Sequence, residues 1–113
     1  VGSEMCIRDR RAKRVIEELD KVYEYISIKF SPESARRKIR KLREKMNQLK
    51  HMPGGFDFDE RLGQKLNPYF KTQALVCDDY LILFVVDEQN QIVIITHLVP
   101  SKSDYMRLLK IDN

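Results

Sequence analysis

The sequence predicts an α+β domain in which a two-helix hairpin packs on a small, mainly antiparallel sheet and a short helix ends the chain. Residues 12–50 carry apolar side chains at helical spacing, with one break at Ser31-Pro32. Residues 80–86 and 92–99 are two apolar runs of strand length, interrupted only by Thr96 and His97. Because 113 residues suffice for one hydrophobic core but not for two, we expect a single domain.

The first predicted helix covers residues 12–30, and the second extends from Pro32 to about residue 50. Apolar residues recur every three or four positions in both, which places them on one stripe of each helix. The stripes are Val15, Leu19, Val22, Ile26 and Phe30, and then Ala35, Ile39, Leu42, Met46 and Leu49. Ser31 is a favourable N-cap and Pro32 suits the first helical position. A turn this short predicts two neighbouring helices that offer one apolar face to the sheet.

The two apolar runs are rich in β-branched and aromatic residues, which favours strands. The polar residues 87–91 between them predict a chain reversal. Since the runs are apolar throughout, we expect both faces of this hairpin to be covered at the centre of the sheet.

The flanking segments complete a predicted three-stranded meander. Residues 71–77 are a further strand candidate, joined to the next strand by a turn at Asp78 and Asp79. Residues 56–70 contain Gly63, Pro68 and several charges, which predicts a long irregular loop. After the last strand, Ser101 and the residues that follow it resemble a helix start.

Positive charge is concentrated in one segment of the chain. Residues 32–50 hold eight basic residues against two acidic ones, a net charge of +6, whereas the whole chain carries +4. Such a surface attracts phosphate backbones or an acidic protein partner. A charge run of this kind is more often a helix face that is simply solvated.

Composition argues against several classes of protein. No apolar run approaches the roughly 20 residues of a membrane-spanning helix, and the N-terminal residues lack the pattern of a secretory signal. Cys6 and Cys77 are isolated, which argues against a zinc site or a disulfide framework. We therefore expect a cytoplasmic protein without a cofactor.

The first ten residues, VGSEMCIRDR, have no clear periodicity. They resemble the translated read-through of a sequencing adapter. We therefore expect residues 1–10 to be a non-native artefact, and residues 11–113 to form the domain.

The order of the predicted elements resembles the RelE/ParE superfamily of bacterial toxins from type II toxin–antitoxin systems. Four motifs carry the resemblance, which extends over residues 12–109: residues 31–37, Met52-Pro53, residues 80–88 and Asp104-Tyr105. It implies a cytoplasmic toxin that a cognate antitoxin protein holds inactive. Superfamily members have a strand before the first helix, so the resemblance also implies that residues 1–10 stand in place of most of that strand and leave one sheet edge open.

The resemblance leaves three mechanisms open. RelE-like members are ribosome-dependent endonucleases that cut messenger RNA without a metal. ParE-like members are inhibitors that bind DNA gyrase, and for this alternative we expect the basic helix surface from Arg36 to Lys45 to make the contact. The third alternative is an inactive relative that binds only its antitoxin.

RNA cleavage without a metal requires an acid, a base and cations around the phosphate. His97 is the candidate acid or base because imidazole titrates closest to neutral pH. Tyr105 is the second catalytic candidate, since it could stack on a base. Lys71, Lys102 and Arg61 are the candidate phosphate-binding residues. Each of the five also has a structural alternative: His97 packed in the fold, Tyr105 anchoring the last helix, and the three cations simply in solvent.

One departure from the superfamily pattern argues against a nuclease. Many relatives end the last strand with Arg-x-x-His-Gly. When Asp104-Tyr105 is matched to the Asp-Tyr of those relatives, His97 falls at the arginine and Pro100 falls at the histidine. The histidine of the pattern is therefore absent here, and proline offers neither a proton nor a charge. His51, beside Pro53, is predicted to be a cation at the end of the second helix instead.

Overall fold

The computed structural model describes residues 10–49, 54–102 and 109. In chain order its elements are α1 (Arg10–Lys29), α2 (Pro32–Gln48), β1 (Phe56–Asp57), α3 (Phe58–Leu62), β2 (Thr72–Cys77), β3 (Tyr80–Asp87) and β4 (Ile92–Pro100). The strands form one antiparallel sheet in the order β1-β2-β3-β4, and α1 and α2 pack together on it. The predicted α+β class and the predicted helix hairpin are both confirmed.

The hairpin turns at the predicted cap. Ser31 Oγ accepts a hydrogen bond from the Ser34 backbone N–H at 3.0 Å, and Pro32 begins α2. Phe30, which we predicted to extend the apolar stripe of α1, is instead 71% exposed. α1 ends at Lys29, and Phe30 lies in the turn that leads to the Ser31 cap.

Strands β2, β3 and β4 lie within a residue of their predicted bounds. Each of the two connections between them contains one residue with positive φ. Asp78, between β2 and β3, has φ 55, and Gln91, just before β4, also has φ 55. In the second turn, Asp87 accepts hydrogen bonds from the backbone N–H and the side-chain amide of Asn90 at 3.2 and 2.7 Å. The chain reversals predicted from polar residues are therefore present.

The prediction of a long irregular loop over residues 56–70 is wrong for residues 56–62, whereas residues 63–70 contain neither helix nor strand. Phe56 and Asp57 form strand β1 against β2, which gives the described sheet four strands rather than three. Asp57 then caps α3 by accepting a hydrogen bond from the Glu60 N–H at 3.1 Å, and Gly63, with φ 87, ends that helix. A two-residue strand and a five-residue helix are too short to display a period, so only the caps and the tertiary contacts reveal them.

The rest of this segment is held by side-chain oxygens. Asp59 accepts from the Leu66 N–H at 3.2 Å and from the Thr72 N–H at 3.1 Å, which ties the loop to the start of β2. Gly55 enters β1 so close to β2 that a Cβ atom there would lie 2.2 Å from the Ala74 carbonyl oxygen. A glycine is therefore required where the chain joins the sheet.

Both faces of the sheet are covered, as predicted. The face under the helices contains Leu19, Leu42, Ile82, Phe84 and Leu98 among its buried residues. The opposite face is a smaller cluster of Phe58, Ala74, Leu81, Leu83 and Val99, against which Phe56, Leu62, Leu66 and Leu109 pack. The cover of this second face comes from the segment that we had predicted to be irregular.

Several predictions concern residues outside the described part of the chain. These are the artefact proposed for residues 1–10, of which only Arg10, the first residue of α1, is described, together with His51, the Met52-Pro53 motif, and the short last helix with Asp104 and Tyr105. Within the described residues, no helix is both long and apolar enough to cross a membrane.

Candidate functional site

A β-bulge in β4 determines where the candidate histidine lies. Leu83 of β3 is paired with His97 but Phe84 with Ile95, so Thr96 is an extra residue without a partner. Directly opposed residues share a face of a sheet. His97 therefore lies on the face of Leu83, opposite the face covered by α1 and α2, whereas Ile95 lies on the face under those two helices with Phe84. Without the bulge, Ile95 and His97 would share a face.

The His97 ring is held by hydrogen bonds at both nitrogens. Nε2 is 2.7 Å from Nη1 of Arg14, and Nδ1 is 3.0 Å from Oγ1 of Thr96. A guanidinium can only donate, so Nε2 must accept and the ring proton must reside on Nδ1. Thr96 Oγ1 then donates to the Leu83 carbonyl oxygen at 3.3 Å. The chain of bonds from Arg14 to Leu83 is complete only with a neutral imidazole.

Burial is the main reason why the His97 pKa is lowered from 6.5 to about 4, and the charge of Arg14 lowers it further. Protonation would place a second cation against the guanidinium and would remove the acceptor that Arg14 uses. His97 is therefore neutral at physiological pH.

A cavity of about 200 Å³ opens beside this ring. Its lining is polar apart from one leucine and consists of Arg14, Leu66, Asn67, Thr72, Thr96 and His97. Arg14 is the one charged residue in that lining. The cavity has room for a few water molecules or a small anion, for which the Arg14 guanidinium is the charged donor in the lining. Within the described part of the chain, no group of three or more His, Cys, Asp or Glu side chains could hold a metal ion.

Sequence reasoning identified His97 but missed its partners. Arg14 precedes the histidine by 83 positions, and no local pattern links the two. Thr72 and Thr96 were assigned only as strand residues. The interruption of an apolar run by Thr96-His97 was the available signal, since a polar pair inside a buried strand needs local partners.

The predicted phosphate-binding residues do not gather around His97. Lys71 Nζ lies 3.4 Å from Asp57 Oδ2. The Arg61 guanidinium stacks over the Phe56 ring, with Cζ 4.5 Å from the ring centroid. Both therefore lie beside β1, and neither lines the His97 cavity. Lys102 is exposed after the end of β4, and Tyr105 is outside the described residues.

A second contact joins α1 to β4, one helical turn beyond Arg14. Glu18 Oε1 accepts a hydrogen bond from the Leu98 backbone N–H at 3.1 Å. Burial raises the Glu18 pKa from 4.5 to about 7, although the Leu98 bond and Arg14 act in the opposite direction. Glu18 also lines a groove of about 510 Å³ that includes Tyr25 and Tyr80. Arg14 and Glu18 together fasten the same flank of α1 to β4.

The basic surface of α2 divides into two flanks. On the first, Lys38 Nζ contacts Asp78 and Asp79 at 2.9 and 3.2 Å, and Lys41 Nζ contacts Asp78 at 2.8 Å. These bonds to Lys41 and Lys38 lower the Asp78 pKa from 3.8 to about 2. The two lysines are therefore neutralised by the β2–β3 turn.

The second flank consists of Arg36, Arg40 and Arg43, which we call the arginine flank. At 100° per residue these three side chains fall within an arc of about 60° on α2. All three are exposed, and none forms an ion pair with a carboxylate among the described residues. Arg37 and Lys45 are the other α2 cations without a carboxylate partner among the described residues, so this flank holds three of the five.

Comparison with known proteins agrees with the fold and the resemblance. The model of the family described as ParE toxin of type II toxin-antitoxin system, parDE, matches residues 10–105, which is most of the chain. A comparison with curated proteins found no match. The chain therefore belongs to the ParE toxin family and is the toxin of a type II toxin–antitoxin system, a class that implies an antitoxin partner.

Proposed function

We propose that this toxin acts in the cytoplasm by binding DNA gyrase, and not by cutting messenger RNA on the ribosome. Membership of the ParE toxin family establishes the toxin class. We choose between the two targets from the protonation and the hydrogen bonds of His97.

An RNA endonuclease of this kind needs a group that supplies a proton to the leaving oxygen. With a pKa of about 4, His97 is protonated in roughly one molecule in a thousand at pH 7. As a base it is equally poor, since Nε2 already accepts from Arg14 and Nδ1 already faces Thr96. The contacts of His97 therefore support the structural alternative for this residue.

The distribution of the cations supports the same conclusion. Stabilisation of a phosphorane-like transition state requires several fixed cations around one point. The cavity beside His97 offers one, Arg14. Lys71 and Arg61 are engaged beside β1 with Asp57 and Phe56. No phosphate clamp of the predicted composition is assembled around the histidine among the described residues.

In this proposal the working surface is the exposed side of the helix hairpin. The sequence predicted a contact surface from Arg36 to Lys45 for a gyrase inhibitor. Lys38 and Lys41 are occupied by Asp78 and Asp79, so we assign the contact with the complex of gyrase and DNA to the arginine flank and the neighbouring exposed surface.

Two assays with the purified toxin test the proposal. In a gyrase supercoiling assay, the toxin should inhibit supercoiling in proportion to its concentration. In a translation extract, it should leave ribosome-bound message intact. His97→Gln keeps an acceptor and a donor at the ring position, so it should inhibit gyrase as well as the wild type does.

The opposite pattern would overturn the proposal. Cleavage of ribosome-bound message by the wild type, abolished by His97→Gln, would make the protein a nuclease with His97 in its active site. A folded toxin inactive in both assays would support the inactive relative that binds only its antitoxin. Binding to the antitoxin, measured by calorimetry, verifies that the protein tested is native.

A further inference from the structure

We infer that the arginine flank of α2 is a binding site for the phosphate backbone of duplex nucleic acid. The inference deepens the proposed function, because gyrase works on duplex DNA, but it concerns a direct contact between this chain and the nucleic acid. The site consists of Arg36, Arg40 and Arg43.

The spacing of the three arginines suits a linear array of phosphates. With a rise of 1.5 Å per residue, Arg40 and Arg43 follow Arg36 by about 6 and about 10.5 Å along the helix axis. Phosphates recur about every 3.4 Å of axis along each DNA strand. A helix lying against a groove edge could therefore place all three guanidiniums on one backbone.

The choice of side chain also favours phosphate. Guanidinium presents a rigid planar fork that binds phosphate oxygens through two parallel hydrogen bonds, and it is more weakly hydrated than ammonium. On α2 the lysines at 38 and 41 are bound to Asp78 and Asp79, whereas the arginine flank has no carboxylate partner among the described residues. The three guanidiniums of the flank are therefore available to a phosphate.

Packing keeps this flank in place. α2 is anchored by its buried residues Ala35, Leu42 and Met46, and Lys38 and Lys41 tie it to the β2–β3 turn. The helix is therefore a rigid scaffold, and binding requires ordering of the three side chains alone.

The test is a fluorescence anisotropy titration of a short labelled DNA duplex, without gyrase, at salt concentrations from about 50 to about 200 mM. The triple variant Arg36→Gln, Arg40→Gln, Arg43→Gln is compared with Lys13→Gln, Lys21→Gln, Lys29→Gln. The control removes the same charge from exposed positions on α1. Loss of three phosphate contacts should reduce the slope of log K against log salt by about 2.7, whereas the control should retain the wild-type slope.

Three results would overturn the inference. The first is that the wild type shows no salt-dependent binding. The second is that the two triple variants lose affinity equally. The third is that polyglutamate at the same charge concentration competes as well as unlabelled duplex. The last would assign the flank to an acidic protein. Should the triple variant fail to fold by circular dichroism, the single variant Arg40→Gln should still reduce the slope by about 0.9. A parallel titration with duplex RNA distinguishes the two sources of phosphate, and the supercoiling assay tests gyrase inhibition separately.

Discussion

Replacing His97 with glutamine should change how the stability of this toxin depends on pH. In the folded protein, His97 accepts a hydrogen bond from Arg14 and lies against Thr96. A glutamine amide can accept and donate in the same way but does not titrate. The substitution therefore isolates the effect of the imidazole proton from the effect of the contacts.

The magnitude follows from the two pKa values of the imidazole. The His97 pKa is about 4 in the native protein against an ordinary value of 6.5. Between these values the unfolded chain binds a proton that the native protein does not, so stability is lost as the pH falls from 6.5 towards 4. Proton linkage gives a loss of about 2 kcal/mol at pH 5 relative to pH 8. His97→Gln should not show this loss.

The assay is urea unfolding of both proteins at pH 8 and pH 5, followed by circular dichroism. The difference in unfolding free energy, wild type minus variant, should fall by about 2 kcal/mol between the two pH values. Subtraction cancels the titration of other groups, such as Glu18. An NMR titration measures the pKa of the His97 ring directly. The variant His51→Gln removes the other histidine of the chain and so assigns the His97 resonances. A free-energy difference that does not depend on pH, or an NMR midpoint near 6.5, would refute the reasoning.

Three further substitutions test the contacts around the sheet. Glu18 has a raised pKa, so its carboxylate costs stability as the pH rises through about 7. Glu18→Gln should therefore unfold at a higher urea concentration than the wild type at pH 8. This gain in stability should vanish towards pH 4.5. Asp78 has a lowered pKa, so its pairing stabilises above pH 3.8 and is lost towards pH 2; Asp78→Asn should lower the melting temperature at pH 7 but not at pH 2. Phe58 is fully buried, so Phe58→Ala should cost about 3–5 kcal/mol in urea unfolding, whereas Tyr69→Ala, at a position 83% exposed, should leave stability unchanged.

The parts of the fold that sequence reasoning recovered have local signals. The Ser31-Pro32 cap separates two helices whose apolar stripes repeat every three or four residues. The strands consist of continuous β-branched and aromatic runs. The prediction for residues 56–70 missed α3, because this helix depends on a cap at each end, Asp57 and Gly63, and on the burial of Phe58 against the sheet. Those determinants are not periodic.

The sequence by itself determined the helix hairpin and the three long strands, because short-range patterns specify each of them, and it indicated the toxin class through its resemblance to a known superfamily. Only the tertiary structure decided the state of the candidate site. The bulge at Thr96 turns His97 to the face opposite α1 and α2, and Arg14 contacts it from 83 positions away. Asp78 likewise takes Lys38 and Lys41 out of the basic surface across about 40 positions. The pKa of a histidine and the net charge of a helix face depend on neighbours in space, and residues distant in sequence supply those neighbours only after folding.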